Sequence, residues 1–434
     1  MTQFIVQPSH TLQGTFRVAG DKSISHRAIM LGALAQGTTQ VTGFLEGEDT
    51  LATLAAFQAM GVNIQRPAQQ KVVIEGVGLH GLKPPRHSLD LGNSGTSMRL
   101  LVGLMAGQAF DSELIGDESL SRRPMRRVTD PLSQMGAKIE STEKGTPPLN
   151  ISGQQTLQGM HYEMPIASAQ VKSCLLLAGL YAQGETSVTE PAPTRDHTER
   201  MLQGFGYPIN VQGNKISLTS GDTLTATQID VPSDISSAAF FMVGASIAQN
   251  ADITLQHVGI NPTRIGVINI LQQMGADIRL FNEKMVGCEP VADIQVRSAQ
   301  LKGIHIPEAQ VPLAIDEFPV LFIAAACAEG ETVLTGAKEL RVKESDRIQV
   351  MADGLIALGI QAEPTSDGMI IQGGQLQGGE IHSHGDHRIA MAFTMASLRA
   401  TDEITIHDCA NVATSFPNFA QLAQDAGINI IVQK

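Results

Sequence analysis

Nearly unbroken apolar runs recur along this chain, each introduced by a short polar stretch. Ala28 to Gly37 follows Asp21-Lys22-Ser23-Ile24-Ser25-His26-Arg27, Leu100 to Gly107 follows Gly92-Asn93-Ser94-Gly95-Thr96-Ser97-Met98-Arg99, and Cys174 to Gly184 follows Ser168-Ala169-Gln170-Val171-Lys172-Ser173. Further on, Ala238 to Ala248, Val320 to Gly330 and Ile389 to Ala400 stand behind Pro232 to Ser237, Ile315 to Pro319 and Gly385 to Arg388. Runs without a polar face predict helices buried on all sides. The polar residues ahead of them predict capped amino ends, with Ser23 or Ser25 as the cap of the first.

A second marker keeps the same count. Gly61, Gly136, Gly206, Gly275, Gly359 and Gly427 each end an amphipathic segment and precede a short strand-like run, the pattern of a helix C-cap. They are spaced by roughly 70 to 85 residues, which reads as six copies of a unit with two helices and several short strands, against the weaker reading of a run of unrelated α/β units. Strand patterns lie at Gly14 to Val18, Thr39 to Phe44, Val72 to Glu75, Leu149 to Ser152, Thr186 to Thr189, Ile253 to Gln256, Thr332 to Leu334, Met369 to Gln372 and Ile404 to Ile406. Buried helices need cover and strands are the material at hand, so the expected architecture is α/β with helices inside and sheets outside. The fourth unit begins near Ile229 to Ser233. Two lobes of three units follow: residues 21–231, and residues 1–20 with 232–434.

Composition narrows the function class. A hydrophobic fraction of 42% with 17% charged residues describes an ordinary globular protein, and a net charge of -13 argues against nucleic acid as a partner. The apolar runs are too short to span a bilayer, Met1 to His10 shows no secretion signal, and no membrane association is expected. Cys174, Cys288, Cys327 and Cys409 are far apart, which predicts reduced thiols in a cytoplasmic protein. No P-loop, HExxH, EF-hand or GxGxxG pattern opens a cofactor site, and no cofactor is expected. In His382-Ser383-His384-Gly385-Asp386-His387, neighbours on an extended loop do not all face one point and Arg388 repels a cation, so no metal is expected either.

The caps differ in chemistry. Those of the first half offer Lys22, Ser23, Arg27, Asn93, Thr96, Arg99, Ser168, Gln170 and Lys172; those of the second offer Asp234, Asp316, Glu317, Asp386, His387 and Arg388. Cations and hydroxyls at helix starts suit anions, and carboxylates suit acid and base work. Helix starts converging on a cleft between the lobes would draw anions there. The basic run Ser121 to Arg127 reads either as part of such a cleft or as a solvated face. Arg341 to Arg347 opens a further helix with the core stripe Ile348, Met351, Leu355 and Leu358. Glu344 falls in the same sector, either as an inward general acid or as a first-turn Glu favoured by the helix dipole.

Together the segments at Asp21 to Arg27, Gly92 to Thr96, Ser121 to Met125, Ser168 to Ser173, Arg341 to Arg347 and Asp386 to Arg388 resemble the 5-enolpyruvylshikimate-3-phosphate synthase family, along essentially the whole chain. The resemblance implies a two-lobed inverse α/β barrel that closes on its substrates. It also implies enolpyruvyl transfer from phosphoenolpyruvate to shikimate 3-phosphate. Carried over by motif, Lys22, Ser23, Arg27, Ser168, Gln170, Arg195, Asp316 and Lys343 look like contacts to shikimate 3-phosphate. Lys22, Asn93, Gly95, Arg123, Gln170, Arg347 and Arg388 look like contacts to phosphoenolpyruvate. Lys22, Asp316 and Glu344 are the expected catalytic groups, with Asp316 as base and Glu344 as acid, and a monomer is expected. Gly95 would leave room for the inhibitor glyphosate. Thr414, Leu100 and Ala169 depart from one branch of the family and place the chain with the other. The sister enzyme, UDP-N-acetylglucosamine enolpyruvyl transferase, uses a loop Cys, and none lies between Phe110 and Arg127. A phosphosugar-binding module without catalysis would have no use for Lys22, Asp316 and Glu344 together.

Overall fold

All six apolar runs fold as helices: Lys22–Leu34, Gly95–Met105, Ala169–Gly179, Ile235–Ile247, Phe318–Ala326 and His387–Ala396. A computed structural model describes residues 2–434. Every residue of Ile235–Ile247 and of Phe318–Ala326 is buried, as segments lacking a polar face require. Small residues allow the helices to meet backbone to backbone. A Cβ on Gly103 would lie 2.2 Å from the carbonyl oxygen of Cys174, so the second and third helices touch at a point no larger residue tolerates. Full burial of a side chain such as Phe240 or Phe322 contributes roughly 1.5–3 kcal/mol.

Caps fix where these helices begin. The side chains of Ser94, Ser168, Asp234 and Asp386 accept from backbone N–H groups of the first turn. At the first helix the cap is Asp21, whose carboxylate accepts from Ile24 N at 2.8 Å, and not Ser23 or Ser25. Ser25 instead turns inward, where its hydroxyl accepts from Leu45 N. Each of the six marker glycines has positive φ, from 77° at Gly206 to 114° at Gly427. Each closes a helix by the same reverse bond, as where Val62 N reaches Phe57 O and Ile360 N reaches Leu355 O.

The chain divides into two compact units, one formed by Gly20–Val231 with Val286–Glu289, the other by the segment through Ala19 with Pro232–Met285 and Pro290–Lys434. Among the described residues the strands form six sheets, three per unit. One plan recurs: an edge strand runs parallel to its neighbour and an antiparallel pair follows. In the first unit Gln228–Asp230 lies parallel to Gln36–Thr42, which pairs antiparallel with Lys71–Val77 and then Asn63–Ala68. That parallel strand comes from the far end of the unit, so the third repeat returns to the first. The three-stranded sheet of the second unit keeps the plan in reduced form, with parallel bridges Lys302 to Glu329 and His305 to Val333 in place of an edge strand. Six buried helices inside, with half-exposed sheets and amphipathic helices such as Glu48–Ala59 and Arg347–Ala357 around them, agree with the α/β class expected.

The expected strands are all present, several of them longer, such as Asn250–Gly259 where Ile253 to Gln256 was expected. The hairpin of Asp277–Val286 and Glu289–Arg297 adds to them, as do two-residue strands such as Leu89–Asp90. Among the described residues no helix is long and apolar enough to cross a membrane.

Candidate active site

Within the Gly20–Val231 unit, side chains from the first turns join the three buried helices pairwise. Arg27, on the first, donates from Nε to Thr198 Oγ1 at 2.7 Å and from Nη2 to Ser173 Oγ at 2.8 Å, and Ser173 belongs to the third. Gln170, also on the third, donates to Thr96 Oγ1 at 3.1 Å and accepts from Arg99 Nη1 at 2.9 Å, both on the second. Ser97 on the second closes the ring through His26 of the first, its Oγ 3.3 Å from His26 Nδ1. The amino ends therefore meet, and their partial positive charges add to those of the arginines.

Around this ring stand the other expected residues of the unit. Ser23 is half-buried in the first turn, and its carbonyl accepts from Arg27 Nη1. Lys22 beside it pairs with Asp49. Asn93 accepts from Arg123 Nη2 at 2.7 Å and donates to Asp117, so the arginine of the basic run is folded back onto the start of the second helix. A Cβ on Gly95 would stand 2.9 Å from Arg99 Nη1 and 3.2 Å from Arg123 Nη1. The missing side chain is what lets two guanidinium groups approach that turn. Ser168 spends its hydroxyl on the cap. Arg195 lies in the loop just before His197–Gly204, the helix that carries Thr198. Arg122 and Arg126 point away, pairing with Glu118 and the carbonyl of Glu143 at the surface.

Lys172 does not serve as an anion ligand. Its ammonium is 1% exposed and lies 3.0 Å from Glu190 and 2.6 Å from Glu199, an internal triad. Burial raises the Glu199 pKa, an effect the Lys172 charge opposes. His26 is held neutral: burial first, then the charges of Lys22 and Arg27, push its pKa well below the ordinary value.

The other unit gathers carboxylates instead. Arg347, 1% exposed, donates from Nε to Asp386 at 2.8 Å and from Nη2 to Glu344 at 2.7 Å, and its Nη1 lies 3.5 Å from Asp316. Lys343 Nζ stands 3.2 Å from the same oxygen of Asp316. Asp316 and Asp386 precede the last two buried helices, so one guanidinium ties both amino ends together. Burial alone would raise the Asp386 pKa, but Arg347 outweighs it and holds the carboxyl below the usual range. Arg388, half-buried in the first turn after that cap, has its pKa lowered by burial and by the like charge of Arg347.

Glu344 reaches this cluster by a different route from the one expected. The segment Lys338–Val342 is a 3-10 turn and the helix begins at Arg347, with Asp346 as its cap. Glu344 thus lies ahead of the helix, outside its core stripe, and Arg347 rather than helical phase holds it. Ile348, Met351, Leu355 and Leu358 are fully buried as the stripe requires.

Comparison with known proteins settles the family. The family model described as EPSP synthase (3-phosphoshikimate 1-carboxyvinyltransferase) matches residues 6–422. The chain belongs to the EPSP synthase family. It is 67% identical over 429 residues to the 3-phosphoshikimate 1-carboxyvinyltransferase of Methylococcus capsulatus, covering 99% of this chain and 98% of that protein. With the enzyme of the same name from Alkalilimnicola ehrlichii it shares 68% identity over 98% of this chain and 96% of the other. A solved EPSP synthase from Acinetobacter baumannii superposes with a TM-score of 0.91 at 62% identity, over the full length of both chains. The enolpyruvyl transferase NikO from Streptomyces tendae shares the fold, with a TM-score of 0.79 at 15% identity over 100% of this chain and 99% of that one.

Several members of the clusters had no sequence signal. Arg264 sits in a loop far from any cap motif, yet it is buried and donates to Asp234 at 3.0 Å and Ser236 at 2.6 Å, while Ser236 bonds to Glu317. Thr198 and Asp49 are equally silent in the sequence. Only long-range packing brings them to Arg27 and Lys22.

Proposed function

We propose that this chain transfers the enolpyruvyl group of phosphoenolpyruvate to the 5-hydroxyl of shikimate 3-phosphate and releases phosphate, the reaction of the chorismate branch of aromatic amino acid biosynthesis. The family match over residues 6–422 carries this reading. In it the lobe of residues 21–231 holds shikimate 3-phosphate and the phosphate groups, and the lobe of residues 1–20 with 232–434 supplies acid and base. Lys22, Ser23, Arg27, Ser168, Gln170 and Arg195, with Asp316 and Lys343, bind shikimate 3-phosphate. Asn93, Gly95, Arg123, Gln170, Arg347 and Arg388, with Lys22, bind phosphoenolpyruvate.

The chemistry needs a base for the attacking hydroxyl, a proton for the methylene carbon of the enol, and cations where phosphate charge develops. Asp316 takes the hydroxyl proton. Glu344 delivers a proton to carbon to form the tetrahedral adduct, and its carboxylate then takes a proton back from the resulting methyl group as the carbon–oxygen bond to phosphate breaks beside Lys22, which restores the double bond of the enolpyruvyl ether. The arginines orient both anions, and such positioning lowers a bimolecular barrier by up to roughly 7–11 kcal/mol. The four unpaired cysteines support a cytoplasmic site of action, and we place the chain there as a monomer.

Phosphate release measured with both substrates tests the reading. Release is expected only when phosphoenolpyruvate and shikimate 3-phosphate are both present, and not when UDP-N-acetylglucosamine replaces the latter. No release from the complete mixture sinks it. Light scattering of the purified chain should give the mass of one copy.

A further inference from the structure

The edge strand Gly379–His382 runs parallel to Ile404–His407, with Glu380 opposite Thr405 and His382 opposite His407. Ile381 and Ile406 are buried, so the pleat sends Glu380, His382 and His407 to the outer face together. Two residues apart on one strand and directly across on the next, these three converge as neighbours on a loop could not. Their ligand atoms lie within 4.8 Å of one another. The rings of His382 and His407 stack at 4.7 Å between centroids, and His407 Nε2 stands 3.5 Å from Glu380 Oε2. That nitrogen is shut off from solvent and makes no hydrogen bond, a cost for a polar atom unless something else engages it.

We infer that Glu380, His382 and His407 form a binding site for a late first-row divalent cation such as zinc, cobalt or nickel. Two imidazoles and one carboxylate are the donors such ions favour over magnesium or calcium. Ligands at about 2.0–2.2 Å from a tetrahedral ion stand roughly 3.4 Å apart, so the side chains need to draw in by little more than about 1 Å. Glu380 and His382 are exposed and can make that adjustment by rotation. The fourth position stays open to water.

The site also has a mechanical consequence. Past His382 the chain turns through Ser383, whose N–H reaches His407 O at 3.4 Å and whose hydroxyl reaches Asp408 O at 3.0 Å. Asp386 N then bonds back to Ser383 O at 2.9 Å. A cation joining the two strands would brace the loop that presents Asp386 to Arg347.

Cobalt(II) titrated into the full-length chain tests the site, followed by the visible absorption of the bound ion. Wild type is expected to saturate at one equivalent and to gain thermal stability with it. His382→Ala and His407→Ala should each weaken binding at least about tenfold, the scale of disturbed metal shells, and together they should abolish the absorption. Unchanged phosphate release by the double variant shows that it is folded. The absence of a saturable signal in wild type overturns the inference, as does one-equivalent binding that persists in the double variant, which would mark other histidines as the ligands.

Discussion

The two units solve one problem with opposite partners. In each, buried helices bring their amino ends together and arginines bind those ends to one another. In the Gly20–Val231 unit Arg27, Arg99 and Arg123 donate to hydroxyls, an amide and backbone carbonyls, while Lys22 and Lys172 take the carboxylates Asp49, Glu190 and Glu199. In the other unit Arg347 and Arg264 donate to Asp386, Glu344, Asp316 and Asp234. A neutral acceptor orients a guanidinium without cancelling its charge, which suits a surface that must attract phosphates. A carboxylate cancels that charge and is itself fixed in place, which suits groups that must handle protons. The same scaffold thus holds arginines against neutral acceptors in one unit and against carboxylates in the other, the division on which the proposed roles of anion capture and of acid and base chemistry rest.

The largest expected effect comes from breaking a pair of each kind. Asp386→Ala leaves the Arg347 charge buried without its main partner, and removing one member of a buried ion pair costs about 3–5 kcal/mol. Ser173→Ala removes a hydroxyl that accepts from both Arg27 and Thr198, and an unmade buried hydrogen bond costs about 1–3 kcal/mol. Urea unfolding of the two variants measures the difference. Equal losses would mean that the neutral and ionic linkages do the same work, and the contrast would fall.

Kinetics sharpen the same point. Glu344→Gln keeps the bond geometry toward Arg347 but removes the proposed proton donor, so turnover should fall by roughly 10² or more while substrate affinity stays within about tenfold. Arg123→Met, in the other unit, should act chiefly on the KM for phosphoenolpyruvate. Steady-state phosphate release gives both numbers. Wild-type turnover in Glu344→Gln would remove that carboxylate from the mechanism.

Gly95→Ala carries a smaller effect. Its Cβ would press on Arg99 and Arg123 at 2.9 and 3.2 Å, and those side chains can yield by a few tenths of an ångström. The substrate should tolerate this better than glyphosate, so the inhibition constant is expected to rise at least about tenfold, or 1.4 kcal/mol, with a lesser change in KM. An unchanged inhibition constant counts against Gly95 as the determinant.

Much of this organisation was legible in the sequence because its signals are local. Helices without a polar face and glycines that must adopt positive φ leave marks that packing does not alter, and all twelve such marks fall where the structure puts helices or their ends. Competition between neighbours was harder to read. Asp21 takes the cap that Ser23 and Ser25 could have taken, and an Asp346 cap begins the next helix too late to include Glu344. Partners distant in sequence were not readable at all. Lys172 looks like an anion ligand until Glu190 and Glu199 are brought to it, and Arg264 and Thr198 acquire meaning only through the helices that fold over them. Strands of two residues are shorter than any alternation that could reveal them.

The smallest effect concerns His26, the joint between two helices of the Gly20–Val231 unit. Its Nδ1 lies 2.8 Å from Thr53 Oγ1, its Nε2 is buried without a hydrogen bond, and Lys22 and Arg27 add to the burial that keeps the ring neutral. The folded pKa therefore lies below the unfolded value of 6.5. As pH falls through 6.5 the unfolded chain takes up a proton that the folded chain refuses, so stability drops on acidification, by up to about 1.4 kcal/mol per pH unit, until the folded ring titrates as well. A histidine paired with a carboxylate would show the opposite slope. Asn at this position can place a polar atom where Nδ1 stands and cannot titrate. The unfolding free energy of His26→Asn should accordingly fall less steeply than that of wild type between pH 7 and pH 5.5 in urea titrations. Parallel slopes would show that His26 takes up its proton as readily in the fold as in the unfolded chain, and the cations around it would then have to be neutralised more fully than the comparison of the two units allows.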